Sequence, residues 1–162
     1  QLLPLQETDF EELFQVASDP LIWEQHPNKD RFKREVFQTF FEGAIASGGA
    51  FKIIDKHSNE VLGSTRFYDF NSEEKSVLIG YTFYGRKYWG STVNPQVKKL
   101  MLDYVFQFVE KVHFHIGTAN IRSQKAIEKL GAVKTREMEV AYHGEPEKSN
   151  FEYTIKKETW FN

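Results

Sequence analysis

The hydrophobic positions of this chain follow two periods, one helical and one alternating, and the change between them divides the sequence into elements. A short apolar run, Leu2 to Leu5, reads as an edge strand. Thr8-Asp9-Phe10-Glu11 has the form of a capping box, with Thr8 accepting from the amide of Glu11 while Glu11 reaches back. A short helix follows to about Ser18, and Asp19-Pro20 stops it. A second helix is predicted over Asp30 to Ala46. Phe32, Val36, Phe37, Phe40, Phe41, Ala44 and Ile45 recur there at helical spacing, and Ser47-Gly48-Gly49 ends it.

Three strand-like runs come next. Ala50–Asp55 and Val61–Phe70 flank a turn containing His57-Ser58-Asn59, and Ser76–Tyr84 follows the polar turn Asn71–Lys75. A long helix is predicted to run to Glu110, with Val93, Val97, Leu100, Met101, Tyr104, Val105 and Phe108 as one apolar stripe. Asn94 before Pro95 has the form of an N-cap followed by a first-turn proline. Val112–Thr118 reads as a strand. Asn120 then caps a short helix that ends at Gly131. Two further strands, about Ala132–Tyr142 and Phe151–Trp160, flank a turn at 143–150. The order β-α-α-β-β-β-α-β-α-β-β is an antiparallel meander followed by a helical crossover. It predicts an α/β chain with one mixed sheet and helices on both faces.

Composition narrows the functional classes. At 162 residues, 40% hydrophobic and 15% aromatic, the chain has the size of one domain with a real core, and disorder is excluded. The formal net charge of −2 carries no long run of one sign, which argues against a nucleic-acid partner held by bulk charge. With no cysteine, disulfides, thiolate catalysis and cysteine-based metal sites are excluded. No apolar stretch approaches the roughly 18 residues a membrane span needs. No signal sequence is visible, so a cytoplasmic protein without metal or membrane partner is the expectation.

Two segments carry candidate chemistry. Tyr84-Gly-Arg-Lys-Tyr-Trp-Gly90-Ser-Thr-Val-Asn94 joins a strand to a helix N-terminus through a glycine-containing loop. Unpaired first-turn amides and the helix dipole make such a join an anion site. Taken alone it is also an ordinary strand-to-helix turn. Asn120-Ile-Arg-Ser123-Gln-Lys-Ala-Ile-Glu-Lys-Leu-Gly131 is a capped helix whose Arg122, Lys125 and Lys129 could simply be solvated. His113 and His115 share one face of a strand. They read as partly buried polar residues, with His115 lining a cleft as the less favoured alternative, while His57 and His143 read as turn residues.

In this order and spacing, the two segments resemble the GNAT N-acetyltransferases, in particular the RimJ/RimL-type branch that acetylates ribosomal-protein N-termini. The resemblance spans Leu2 to Trp160 and rests on GSTRF at 63–67, IGYTF at 79–83, YWGSTVN at 88–94, NIRSQKAIEKLGA at 120–132 and YTIKKETW at 153–160. It implies a single acetyl-CoA-dependent domain over 1–162 with a V-shaped cleft beside the third meander strand. The pyrophosphate would sit on the amides of Gly90, Ser91 and Thr92, near Lys87 and Trp89. The pantetheine arm would pair with the backbone at Phe83 and Tyr84. Asn120 would bond the arm, and Arg122 and Lys125 would reach the adenosine phosphates.

Catalytic roles follow by the same resemblance. A tyrosine often protonates the departing thiolate in this superfamily. Ile127 stands in its place, which leaves Ser123 as the acid. Glu often precedes the Ile-Gly of IGYTF, but Leu78 stands here; Thr92 replaces a second small loop residue, and Lys87 an Arg or Gln. An α-amine, with a pKa near ~8, needs less help from a base than a lysine near ~10.4, so a protein N-terminus is the expected acceptor. Glu24, His26 and Asp69 are the candidate bases, each read more readily as a solvated loop residue (Glu24, His26) or a turn former (Asp69), and Trp23, His26 and Tyr142 would frame the acceptor. The alternatives are a small-molecule amine acetyltransferase, marked by an acidic pocket, and a degenerate domain that binds acyl-CoA without catalysis. Monomer and homodimer both stay open.

Overall fold

A computed structural model of the protein describes residues 1–141 and 146–162. Strand β1 (Leu2–Pro4) leads through a single 3-10 turn into helix α1 (Phe10–Ala17). The expected Thr8–Glu11 box is replaced by a box two residues earlier, where the Gln6 amide donates to the Asp9 carboxylate at 2.9 Å. Glu11 instead pairs with Arg34. Helix α2 (Arg34–Ser47) begins four residues after the predicted start, because residues 30–33 form turns. The meander β2 (Ala50–Ile54), β3 (Val61–Asn71) and β4 (Ser76–Tyr84) follows closely the hydrophobic runs in the sequence.

Helix α3 (Val93–Val105) crosses to β5 (Lys111–Gly117), and α4 (Ile121–Lys129) leads to β6 (Val133–Val140) and β7 (Lys148–Lys156). A one-turn helix, α5 (Lys157–Trp160), ends the described chain where the sequence pattern predicted continuing strand. Two features of α3 also depart from expectation. The helix stops short of Glu110, and Asn94 lies inside it instead of capping it, with Thr92 at the cap position.

The strands form one sheet in the order β1-β2-β3-β4-β5-β7-β6, antiparallel except for β4–β5. Each face buries its own core. On one face Val97, Met101, Leu102 and Val105 of α3 and Ile127 of α4 pack on Ile79, Val112, Phe114 and Tyr153. On the other, Leu13 and Ala17 of α1 and Phe37, Phe40 and Phe41 of α2 enclose Trp23 and Phe83. The apolar stripe of α3 is narrower than the sequence suggests: Leu100, Tyr104 and Phe108 are 55%, 57% and 62% exposed. No helix of the described residues is long and apolar enough to cross a membrane.

Candidate active site

The site begins with a fault in the sheet. β4 and β5 pair only over Ser76–Leu78 and Lys111–His113, and beyond these residues they are no longer bonded to one another. On its other side β4 carries a bulge against β3. Arg66 pairs with Gly80 and Ser64 with Phe83, so Tyr81 and Thr82 together oppose Thr65. Tyr81 takes a φ of +53°, a conformation that costs a non-glycine residue roughly 1–3 kcal/mol and persists only when its surroundings enforce it. Arg66 stacks 3.5 Å from the centre of its ring, and Phe40 and Tyr68 meet it edge-on.

A cavity of about 190 Å³ fills the gap and is walled from both faces of the sheet. Asn94, Lys98, Asn120, Ser123 and Ile127 of the α3–α4 side line it, and so do Trp23, His26 and Arg31 of the connection between α1 and α2. Gly117 closes one end. A Cβ there would stand 2.2 Å from the ring of Pro27, so only glycine lets these two segments meet.

At the α3 mouth, Gly90 has a φ of +71°, which turns the loop after β4 toward the helix. The amides of Gly90 and Thr92 have no hydrogen-bond partner among the described residues, while Ser91 donates to the Tyr88 carbonyl. Trp89 is fixed by its Nε1–H to the Tyr84 carbonyl at 3.2 Å. The Arg122 guanidinium lies 3.6 Å from the centre of the Trp89 ring and donates to the Ile22 carbonyl at 3.3 Å. Burial lowers the Arg122 pKa from its ordinary value, against the pull of Glu24.

Beneath this mouth lies a polar network that sequence reasoning missed. The Tyr84 hydroxyl donates to Asn94 Oδ1 at 2.8 Å, and Lys98 Nζ donates to the same oxygen and to Thr82 Oγ1, both at 3.3 Å. Lys98 is only 4% exposed and has no carboxylate partner among the described residues. Burial brings its ammonium pKa down to about 7, and pushes the Tyr84 phenol upward. A signal existed in the sequence: Lys98 falls one turn before Leu102 on the buried arc of α3. Leu100, Tyr104 and Phe108, apolar but exposed, blur that arc in the sequence.

The opposite wall is also cationic. Arg31 is 1% exposed, with its guanidinium 4.8 Å from the centre of the Phe40 ring. His26 is held neutral by burial first and by the neighbouring Arg31 charge second. Its Nδ1 accepts from the Asn28 amide at 2.9 Å, and its Nε2 lies 3.3 Å from Arg31 Nη1. His115 reaches the cavity from β5 with Glu152 of β7 behind it, Nε2 to Oε2 at 3.2 Å. Arg31, Lys98 and Arg122 are the cationic lining, and the described lining holds no Asp or Glu. Nor do the described residues contain a cluster able to hold a metal ion.

Of the residues singled out in the sequence, the structure brings Trp23, His26, Phe83, Tyr84, Trp89, Gly90, Asn120, Arg122 and Ser123 to this cavity. Ser91 and Thr92 adjoin its mouth. Asn120 caps α4, accepting from the Ser123 amide at 3.4 Å, and Ser123 Oγ has no protein partner among the described residues. Other candidates are not brought there. Lys87 is drawn away by an ion pair with Glu60. Lys125 is exposed and outside the lining, as is Glu24. Asp69, near the end of β3, is exposed and outside it as well. Tyr142 and His143 lie outside the described residues.

The sequence profile of the Acetyltransferase (GNAT) domain matches residues 1–133. No curated protein matches the chain. Among solved structures, it resembles a suspected acetyltransferase from T. thermophilus, with a TM-score of 0.78 and 24% identity over 98% of this chain and 86% of the other. It also resembles spermidine N-acetyltransferase from Vibrio cholerae in complex with CoA and spermine (TM-score 0.71, 14% identity, 100% and 98% covered). A suspected ribosomal-protein-serine acetyltransferase from Vibrio cholerae is similar too (TM-score 0.73, 16% identity, 96% and 92% covered). At these identities the likeness of the three is one of fold.

Proposed function

The chain belongs to the GNAT acetyltransferase family, and from that premise we propose that it transfers an acetyl group from acetyl-CoA to a primary amine, the acceptor being a protein N-terminal α-amine as in the RimJ/RimL-type branch. One observation carries this reading: a cavity walled from both faces of a split sheet, with Arg31, Lys98 and Arg122 and no Asp or Glu in its described lining. A donor and an acceptor entering from opposite faces would meet inside it.

The residues fit acetyl-CoA. The free amides of Gly90 and Thr92, at the start of α3, suit a pyrophosphate. The edge of β4 left open by β5 suits the amides of a pantetheine arm, near Asn120. When bound, acetyl-CoA supplies a thioester, an electrophilic carbonyl with a good leaving group. The chain's own part is to orient and to manage charge. The bulge at Tyr81 takes backbone amides off the β3 ladder at the place where a donor to a carbonyl oxygen is useful. Ser123 Oγ, in the first turn of α4, holds a proton for the departing sulfur. Trp23 and His26 border the acceptor.

The cationic lining separates two acceptor classes. Arg31 and Lys98 disfavour a polycation such as spermidine, which calls for carboxylates in the pocket. They tolerate a single amine, and they make its ammonium easier to deprotonate. Thiol release from acetyl-CoA tests this, with pools of peptides varied at the first residue set beside spermidine. Peptide acetylation with the higher kcat/KM is expected. A preference for spermidine would overturn the acceptor assignment, and absence of thiol release with every amine would favour a domain that only binds acyl-CoA.

A further inference from the structure

We infer that His115, oriented by Glu152, takes the proton from the acceptor amine. The inference rests on the acyl-transfer reading above and names the base it requires. Val112 and Phe114 of β5 pack into the core beneath α3. Strand alternation therefore turns His113 and His115 to the opposite face, the one from which Trp23, His26 and Arg31 close the cavity. Of the two histidines, only His115 lines it.

The dyad is built from behind. Glu152 is buried, and its carboxylate accepts from Thr135 Oγ1 at 3.0 Å, from Arg136 Nη2 at 3.2 Å and from His115 Nε2 at 3.2 Å. Burial alone would raise its pKa. The bonds from His115, Arg136 and Thr135 outweigh that, so its carboxyl stays below the usual range and remains charged. A charged acceptor beside Nε2 fixes the tautomer with the proton on that nitrogen. Nδ1 then carries the lone pair, and it has no protein partner among the described residues.

The neighbouring histidines are not equivalent. His113 Nδ1 bonds Thr154 Oγ1 at 2.7 Å, outside the cavity. His26 has both ring nitrogens engaged. The charged and titratable groups facing His115 are Glu152 and Arg136 from β7 and β6, His113 on its own strand, and His26 and Arg31 across the cavity. In the step itself an N–H bond of the acceptor ammonium breaks, its proton passes to Nδ1 of His115, and the electron pair stays on the amine nitrogen. The imidazolium returns the proton to water afterwards.

The test compares wild type with His115→Asn and Glu152→Gln, using the peptide pools and acetyl-CoA, beside melting curves and acetyl-CoA calorimetry. At pH 7 His115→Asn should lose roughly 100-fold or more in kcat/KM with unchanged acetyl-CoA affinity. The loss should shrink to a few-fold near pH 9.5, where an α-amine with a pKa near ~8 is already neutral. Glu152→Gln should lose roughly 10-fold or more in kcat/KM at pH 7 with unchanged acetyl-CoA affinity, because a neutral amide no longer fixes the Nε2–H tautomer, and that loss too should shrink near pH 9.5. A folded His115→Asn with wild-type kcat/KM, or with a loss independent of pH, would overturn the inference. ¹⁵N spectra of wild-type histidines form an arm that needs no acceptor: the Nε2–H tautomer at His115 is expected, and Nδ1–H would overturn the dyad. Wild type that releases no thiol with any pool would instead defeat the acyl-transfer reading, distinguishably from that spectral result.

Discussion

Replacing Lys98 by Met removes a charge from the centre of the molecule while keeping an unbranched side chain of similar reach. In the unfolded chain this ammonium titrates at its ordinary 10.5, and burial in the fold brings it to about 7. Between those values the unfolded state binds a proton that the folded state lacks, so stability rises with pH across that window. The whole window is worth roughly 5 kcal/mol at 1.36 kcal/mol per pH unit, and the part between pH 7 and pH 9 about 2 kcal/mol. Urea denaturation of both proteins at pH 7, 8 and 9 isolates this group, since every other titration is common to the two and cancels in the difference. Wild type should gain about 2 kcal/mol relative to Lys98→Met over those two units. Parallel curves would mean that Lys98 is as well solvated folded as unfolded, and that the network with Thr82 and Asn94 does not exclude water.

Three further outcomes are expected. Gly90→Val should fold with a penalty of roughly 1–2 kcal/mol for a β-branched residue in the left-handed region, and calorimetry should find acetyl-CoA affinity at least 10-fold weaker; unchanged affinity would remove the loop from the donor site. Asn120→Ala should cost about 1 kcal/mol through the lost cap of α4 and also weaken acetyl-CoA binding. A lower Tm with unchanged affinity would leave the cap alone. Ser123→Ala should lower kcat by roughly 10–1,000-fold with little change in acetyl-CoA affinity, and wild-type kcat with chemistry rate-limiting would mean that the sulfur takes its proton from water.

The elements most legible in the sequence were those with uninterrupted local patterns. Ser76–Tyr84 has the bounds its hydrophobic run suggests, and Asn120 caps α4 as its position implies. Errors arose where a tertiary partner overrides a local signal. Asn94 before Pro95 looks like a cap, but Tyr84 and Lys98 compete for its side-chain oxygen. The strand predicted to run to Trp160 gives way to α5, where the Trp160 indole donates to Asp103 of α3 at 2.8 Å. The loop and the capped helix of the site were readable because each is contiguous. The His115–Glu152 pair and the Lys98 network were not, since 37 residues separate the first pair and 16 separate Lys98 from Thr82. In the sequence Lys98 differs from its exposed neighbour Lys99, which pairs with Asp103, only by its place on the helical arc.

The parting of β4 from β5 has a consequence for how the backbone meets solvent. In an unbroken sheet the middle strand is the most protected, and its amides exchange with deuterium only when the whole fold opens. Here the fourth of seven strands is, beyond Leu78, an edge. Its amides that point away from β3 should exchange in minutes while those pointing toward β3 persist, giving two populations that alternate residue by residue in the heart of the molecule. Filling the gap with a ligand that pairs along the strand would merge them into one slow population.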